Sequence, residues 1–162
     1  DILLSLPLNK KIKSEKHLDI EVLIESSKNH LKNEHRHNKI GISFEIIKGK
    51  SNITYVKSNP ATFDANIDVK ISIVELVGPI SLEDVEVVEI MEKELSKQLK
   101  DRFVKLLNTF KELQVDPIGF GDLYRVAEKK QVLSHEEWRD LIPNYDVNFN
   151  VDVEIINYGE HM

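Results

Sequence analysis

Residues 81–114 read SLEDVEVVEIMEKELSKQLKDRFVKLLNTFKELQ, and this stretch decides the fold class. Its apolar residues recur every three or four positions, which is the spacing that forms one apolar stripe along an α-helix. The stripe consists of Val85, Val88, Met91, Leu95, Leu99, Phe103, Leu106, Phe110 and Leu113. Ser81, with Asp84 following it in a weak capping box, is typical of a helix N-cap. The sequence therefore predicts one helix of about thirty residues, roughly 45 Å long at a rise of 1.5 Å per residue.

Other segments alternate apolar and polar residues, which is typical of strands with one solvated face. These segments are residues 18–24, 40–46, 53–56 and 67–73 before the long helix and 147–155 near the end of the chain. The stretch 48–52 before the shortest of them has the composition of a turn. Residues 2–8 are typical of an edge strand or of the entry of the chain into the sheet, because Pro7 cannot donate a hydrogen bond to a sheet. The regular alternation of the last segment predicts that it returns to the sheet.

Two shorter helices are predicted between the long helix and the last strand. Asp116 and Pro117 are typical of an N-cap and a first helical position, because the carboxylate accepts free amides and proline has no amide to leave unpaired. We expect this second helix to run to Lys129. Ser134 and the glutamates that follow it then form a capping signal for a third helix, which ends before Pro143.

The order of these elements predicts an α+β fold. It consists of a largely antiparallel sheet, one long helix and two shorter helices packed on one face, and a C-terminal strand that returns to the sheet. With 162 residues the chain is long enough to bury a core, and we expect a single domain over residues 1–162.

Composition excludes several functional classes. The net charge is −6 and no cluster of Lys and Arg alternates with aromatic residues, so a nucleic-acid-binding surface is not expected. The absence of cysteine removes disulfides, thiolate metal sites and thiol nucleophiles. The longest apolar runs are too short and too polar to span a bilayer. Because the first residue is Asp1, we expect a part of a longer protein whose targeting or lipidation signals lie upstream.

Gly119 and Gly121 form a G-x-G within the stretch DPIGFGDLYR, residues 116–125. A phosphate-binding loop needs a preceding strand and convergent amides, and usually a lysine at a set distance. Here the glycines follow a helix, and no lysine comes close behind them. We therefore interpret the stretch as a junction between two helices, where the glycines allow another backbone to approach closely or kink the helix.

A metal site is the remaining enzymatic hypothesis. His30, Glu34, His35 and His37 lie close together, and a metal-dependent hydrolase would use the last three. Their spacing lacks the pattern of a helical metal site, and the lysine and arginine residues around them are typical of a solvated loop. His135 is better explained by the capping turn of the third helix than by general-base chemistry. No catalytic, cofactor-binding or metal-binding residue is therefore expected.

Trp138 is the only tryptophan, and it shares a helical face with Leu141 and Ile142. Burial against the sheet is the interpretation that this face favours, because a tryptophan removes a large apolar surface from water. The alternative is that Trp138 is exposed and anchors a partner protein.

The order of these features resembles the C-terminal domain of the Ger(x)C family, which comprises the C subunits of nutrient germinant receptors in spore-forming Firmicutes. The resemblance covers roughly residues 40–159, and residues 1–39 fit it less clearly. It is most specific at Asp116-Pro117-x-Gly119-x-Gly121, at Arg125, and at Trp138 followed by an alternating strand that ends at Gly159. The family often has a further aromatic residue before the position of Trp138, where this chain has Gln131 and His135.

The resemblance implies a lipoprotein subunit held by an upstream lipid anchor on the outer face of the spore inner membrane. It would work with the A and B membrane subunits in nutrient-triggered germination, with no enzymatic activity and no cofactor. Its candidate structural or partner-contact residues are Asp116, Pro117, Gly119, Phe120, Gly121, Tyr124, Arg125 and Trp138. We expect contacts on the polar face of the long helix or on a ridge around Ile118, Phe120 and Tyr124. The alternative function is a small-molecule (nutrient) binding domain with a ligand groove between sheet and helices.

Overall fold

The computed structural model describes residues 17–24, 38–78, 81–129 and 133–158, with only the backbone described at 17–24, 38–40 and 157–158. The elements in chain order are β1 (His17–Ile24), β2 (Asn38–Ser58), β3 (Ala61–Val77), α1 (Val85–Glu112), α2 (Phe120–Ala127), α3 (His135–Leu141), a 3-10 turn (Ile142–Asn144) and β4 (Asp146–Tyr158). The strand expected at 2–8 and the histidine-rich stretch 30–37 lie outside the described residues.

The first three strands form an antiparallel meander. The sheet has the order β1-β2-β3-β4, and β1 pairs antiparallel with β2, with Ile20 opposite Ile42. β2 and β3 are neighbours joined only by a turn at Asn59 and Pro60, so they run in opposite directions.

β4 runs parallel to β3. Asn148 Nδ2 donates to Asp64 Oδ1 at 2.8 Å, and Asn150 Nδ2 donates to Asn66 Oδ1 at 2.9 Å. Both pairs are separated by 84 residues, and a constant separation means that the two strands run in the same direction. A parallel pair requires a long crossover, which the three helices supply. The predicted α+β class and the return of the last strand to the sheet are confirmed.

One compact unit contains residues Lys50–Asp68 and Leu99–Val151. Its buried apolar side chains come from both the sheet and the helices: Ala61, Phe63, Ala65, Ile67, Leu99, Phe103, Leu107, Phe120, Tyr124, Trp138, Ile142, Tyr145 and Phe149. Helix α1 contacts β4 through Phe103 and Phe149, whose rings stack at 5.9 Å, and α2 contacts β3 through Phe120 and Phe63 at 4.9 Å. Because Phe63 and Phe149 occupy the same phase of two parallel strands, both helices pack on one face of the sheet.

The second compact unit includes, among the described residues, 17–24, 38–49, 69–78, 81–98 and 152–158. Its described core is aliphatic apart from Phe44 and Met91, and otherwise comprises Ile42, Val69, Ile71, Ile73, Val88, Leu95, Val153 and Ile155. Two side chains of α1 accept backbone amides of β4: Ser96 Oγ from Val153 at 3.0 Å and Glu92 Oε1 from Ile155 at 2.8 Å. β4 is last in the sheet order, so these bonds satisfy amides at a sheet edge.

The turn expected at 48–52 is wrong, because β2 is continuous through it. Ile42 and Phe44 are buried at even positions, whereas further along the strand Ile53 and Tyr55 are the less exposed residues at odd positions. The alternation therefore shifts by one residue near Gly49, which is the effect of a β-bulge. A glycine and polar residues accommodate the irregularity without ending the strand.

The long helix is confirmed, with two differences in detail. It begins at Val85 and is capped by Asp84, whose Oδ1 accepts the Glu86 amide at 3.0 Å, whereas Ser81 Oγ accepts the Glu83 amide of the preceding turn at 3.2 Å. The buried stripe is Val88, Met91, Leu95, Leu99, Phe103 and Leu107. Repeated four-residue steps rotate the stripe slowly around the axis, and this rotation selects Leu107 where the sequence analysis chose Leu106.

Candidate functional site

Asp116 joins the end of α1 to the two shorter helices through four hydrogen bonds. Its Oδ1 accepts the amides of Gly119 at 2.9 Å and Phe120 at 3.0 Å, and its Oδ2 accepts the amide of Gly121 at 2.7 Å. Oδ2 also accepts the indole Nε1–H of Trp138 from α3 at 2.9 Å. We call these five residues the helix junction. One carboxylate thereby satisfies the open amides of α2 and fixes the position of α3.

The second helix starts later than the sequence analysis expected. Its first residue is Phe120 and its N-cap is Gly119, which has no capping side chain of its own. Asp116 lies outside the helix and reaches its amides across the bend that contains Pro117, so Pro117 is not the first helical residue. The helix ends at Ala127, before the expected Lys129.

The two glycines of the G-x-G meet different requirements. Gly119 has a φ of 90°, in the left-handed region that side chains rarely adopt. Gly121 lies so close to the indole that a Cβ there would be 2.7 Å from Trp138 Nε1. The amides that would bind a phosphate already bind the Asp116 carboxylate. The geometry is that of a junction between helices.

An aromatic cluster surrounds the helix junction. Its six rings are Tyr55, Phe63, Phe120, Tyr124, Trp138 and Tyr145, in contacts with centroid separations from 4.9 Å for Phe63 and Phe120 to 6.0 Å for Tyr55 and Tyr124. Burial, and then the negative charge of Asp116, raise the pKa of the Tyr145 hydroxyl. Tyr55 donates a hydrogen bond to Glu128, just beyond α2.

The sequence analysis missed three members of this cluster. Phe63 lies in the same strand phase as the predicted inward residues Ile67 and Val69, and extending that alternation by two steps towards the N-terminus would have found it. Tyr55 was included in a short predicted strand without a role. Tyr145 follows the 3-10 turn and has no local signal, because only the return of β4 to the sheet brings it to Trp138.

The expected contact ridge around Ile118, Phe120 and Tyr124 is wrong as an accessible surface. Phe120 is only 1% exposed and Tyr124 only 4%, so neither can meet a partner without opening the core. Trp138 is buried as well, at 8%. Of the candidate residues, Arg125 is the exposed side chain that carries a charge, and its guanidinium lies 3.3 Å from Asp122 Oδ1.

An open cavity of about 510 Å³ lies beside the helix junction, between α2 and the first turn of α3. Its lining includes the buried residues Trp138 and Ile142, the basic residues Arg125 and Arg139, and the acidic residues Asp116, Asp122 and Glu136. Ser134 fixes the start of α3 through a capping box, in which its Oγ accepts the Glu137 amide at 3.1 Å and the Glu137 carboxylate accepts the Ser134 amide at 2.8 Å.

No metal centre is found within residues 17–24, 38–78, 81–129 and 133–158, where no three His, Cys, Asp or Glu residues are grouped to hold an ion. The candidate ligands His30, Glu34, His35 and His37 lie outside these ranges. The described helices also include none that is long and apolar enough to cross a membrane.

Comparison with known proteins gives two matches. The family model described as "Spore germination B3/GerAC like, C-terminal" matches residues 5–159. The solved "Crystal Structure of the GerBC protein" is similar in fold, with a TM-score of 0.59 and 16% sequence identity over 88% of this chain and 41% of that chain. This chain therefore spans about two-fifths of the length of that structure, as its 41% coverage shows. A search of curated proteins found no match.

Proposed function

This chain belongs to the spore germination B3/GerAC-like C-terminal family, and from that membership we propose that it is the C-terminal domain of a germinant-receptor C subunit that acts in nutrient-triggered spore germination. The family match over residues 5–159 is the observation that carries the proposal. The fold shared with the GerBC structure is consistent with it.

The proposed action is binding to other proteins without catalysis. Support comes from the helix junction, where the amides at the start of α2 and the Asp116 carboxylate are used within the protein. An anion or nucleotide finds no open amide cradle there. The polar groups of this region hold helices in place, and its exposed surface remains for partners.

The proposed partners are the A and B membrane subunits of the same receptor. The subunit is held on the outer face of the spore inner membrane by a lipid attached upstream of this segment. A single acyl chain gives only marginal, reversible membrane binding, so stable anchoring takes a second signal. The exposed residues of α2 are the surface that we assign to these contacts.

Val126 allows the contact surface to be tested. It is an apolar residue of α2 that is 71% exposed, so Val126→Lys changes the surface and leaves the core intact. Val85, 70% exposed at the start of α1, provides the matched control Val85→Lys. The full-length protein carrying an affinity tag is isolated from spore membranes of the source organism, and the co-purified A and B subunits are quantified.

We expect both subunits to co-purify with the unchanged protein and with Val85→Lys, and to be reduced several-fold with Val126→Lys. Spores that lack the gene should lose germination on at least one nutrient. Normal germination of those spores on every nutrient tested, together with no co-purification, contradicts the receptor role. Normal co-purification of Val126→Lys contradicts only the choice of surface.

A further inference from the structure

The cavity beside the helix junction has the dimensions and the mixed lining of a ligand site. Its volume of about 510 Å³ lies within the range of about 300–1,000 Å³ that small-molecule pockets occupy. Trp138 and Ile142 supply buried apolar surface, and Leu133 is partly exposed beside them. A small organic molecule can therefore place an apolar group against these side chains.

The charged residues of the cavity are one arginine from each helix, Arg125 and Arg139, and three acidic residues, Asp116, Asp122 and Glu136. Arg139 on α3 has no carboxylate partner among the residues that the structure describes. Arg125 on α2 pairs with Asp122, but the side chain of Asp122 is 82% exposed and the pair is 3.3 Å apart. Exposed ion pairs are weak because water screens them, so a ligand can displace Asp122 at little cost.

The lining favours a carboxylate over a phosphate. Phosphate sites use converging backbone amides, and here the amides of Gly119 and Gly121 bind Asp116 while that of Glu137 binds Ser134. Arg125 and Arg139 are side-chain donors of the cavity, and a guanidinium matches a planar carboxylate through two parallel hydrogen bonds. The apolar lining has no counterpart in an inorganic ion.

We propose that this cavity binds a small organic carboxylate, with its carboxylate between Arg125 and Arg139 and its apolar body against Trp138 and Ile142. This site differs from the groove between sheet and helices that the sequence analysis considered as an alternative. The proposal does not depend on the receptor role, because it concerns a ligand that the isolated chain binds by itself.

Trp138 provides a direct reporter for this binding. It is the only tryptophan, so a ¹⁵N-labelled sample gives one indole N–H resonance, and its hydrogen bond to Asp116 protects that proton from exchange. The probe is 3-phenylpropionate. The two controls are 3-phenylpropan-1-ol, which has the apolar body without the carboxylate, and acetate, which has the carboxylate without the body.

We expect saturable movement of the Trp138 resonance with 3-phenylpropionate, and binding at least about tenfold weaker with either control, because each control lacks one of the two recognition elements. An unchanged resonance up to about ten millimolar probe overturns the proposal, since binding weaker than this lies beyond the millimolar limit of even weak specific ligands. Equal binding of the alcohol overturns the role of the arginines.

Two variants locate the carboxylate. Arg139→Gln and Arg125→Gln each remove one guanidinium from an exposed position. We expect each variant to bind 3-phenylpropionate about tenfold more weakly than the unchanged protein. Arg102→Gln on α1 removes an exposed arginine that does not line the cavity and serves as the control. If both cavity variants are folded by circular dichroism and bind as tightly as the control, the assigned position is wrong. If one is unfolded, the other decides.

Discussion

The Asp116 carboxylate takes the place that a bound anion would occupy at the start of a helix. The amide of the N-cap Gly119, two amides of α2 and the Trp138 indole point at its two oxygens, so two oxygens accept four hydrogen bonds. A charged acceptor makes each of these bonds stronger than a neutral one. The charge, and not only the shape of the side chain, is therefore what the junction requires.

Asp116→Asn tests this requirement at constant size. The asparagine keeps one oxygen and places an NH₂ group where Oδ2 accepts hydrogen bonds in the unchanged protein. The Gly121 amide and the Trp138 indole N–H therefore lose their acceptor. We expect the free energy of unfolding to fall by roughly 2–3 kcal/mol. Urea denaturation followed by Trp138 fluorescence measures it.

Asp122→Asn is the control for that measurement, because Asp122 is an exposed acid on α2, the helix whose first amides Asp116 binds. The free energy of unfolding of this variant should differ from that of the unchanged protein by no more than about 0.5 kcal/mol. Equal effects of the two variants would mean that the Asp116 hydrogen bonds contribute no more than a surface charge does.

Glycine is required at position 121 because the indole ring lies close to it, and not because of its backbone conformation. In a helix interior, alanine is favoured over glycine by up to about 1 kcal/mol, which alone would stabilise Gly121→Ala. The added Cβ would lie 2.7–2.9 Å from three atoms of the Trp138 ring, and that ring is buried. Overpacking of this kind costs about 1–3 kcal/mol, so we expect net destabilisation.

Gly49→Ala supplies the comparison for Gly121, because a Cβ at Gly49 meets nothing within 4 Å. Thermal melting of both variants should lower the transition temperature for Gly121→Ala only. A rise in both would show that Trp138 moves aside and that the close approach is not needed.

For helix α1, the local sequence determines that a helix forms, whereas packing determines which of its residues are buried. Its existence and approximate length follow from periodicity, since a three-to-four-residue repeat over this length has no strand alternative. Which residue of the pair Leu106 and Leu107 faces the sheet depends on how the helix lies against its neighbours. Only Leu107 is fully buried.

The difference in burial can be tested with the variants Leu107→Ala and Leu106→Ala. Removing the buried Leu107 side chain leaves a cavity, and we expect a loss of about 2–5 kcal/mol in the free energy of unfolding. Leu106 is partly exposed, so its loss should be smaller by at least about 1 kcal/mol. Urea unfolding of both proteins gives the comparison, and the reverse order would place the stripe where the sequence analysis placed it.

In the strands, too, some features follow from the local sequence and others depend on pairing with neighbouring strands. The segment 67–73 and the last strand were predictable, because strict alternation over several residues is a local property. β2 was divided in the prediction because a bulge and a turn use the same residue types, and only pairing with neighbours distinguishes them. The parallel direction of β4 also lacks a local signal. It appears only in cross-strand pairs such as Asn148 with Asp64.

Within the candidate site, the residues adjacent in sequence were found and the distant ones were not. The 116–125 stretch identified its own acid and glycines, and Trp138 stood out as a unique residue. The hydrogen bond between Asp116 and Trp138 spans 22 residues, and the contact between Phe63 and Tyr145 joins two segments much further apart. Contacts at such separations depend on the completed sheet.

For the molecule as a whole, the expectation of a single domain can be tested by asking whether the chain unfolds cooperatively. The chain divides into two compact units, yet the boundaries fall inside β2, β3, α1 and β4 and not in linkers. Domain boundaries normally lie in exposed linkers that few contacts cross. Unfolding one unit here requires four elements to break in their interiors, so we predict that both units unfold in one two-state transition.

Leu95→Ala tests this cooperativity. Leu95 is fully buried in the unit that contains Val69–Gln98, whereas the fluorescent Trp138 belongs to the other unit. The loss of about 2–5 kcal/mol at Leu95 should lower the urea midpoint reported by Trp138 as much as the midpoint reported by far-ultraviolet circular dichroism. Lys97→Ala, an exposed change on the same helix, should leave both midpoints unchanged. A Trp138 midpoint that stays in place while the circular dichroism splits into two steps would show that the units are independent domains.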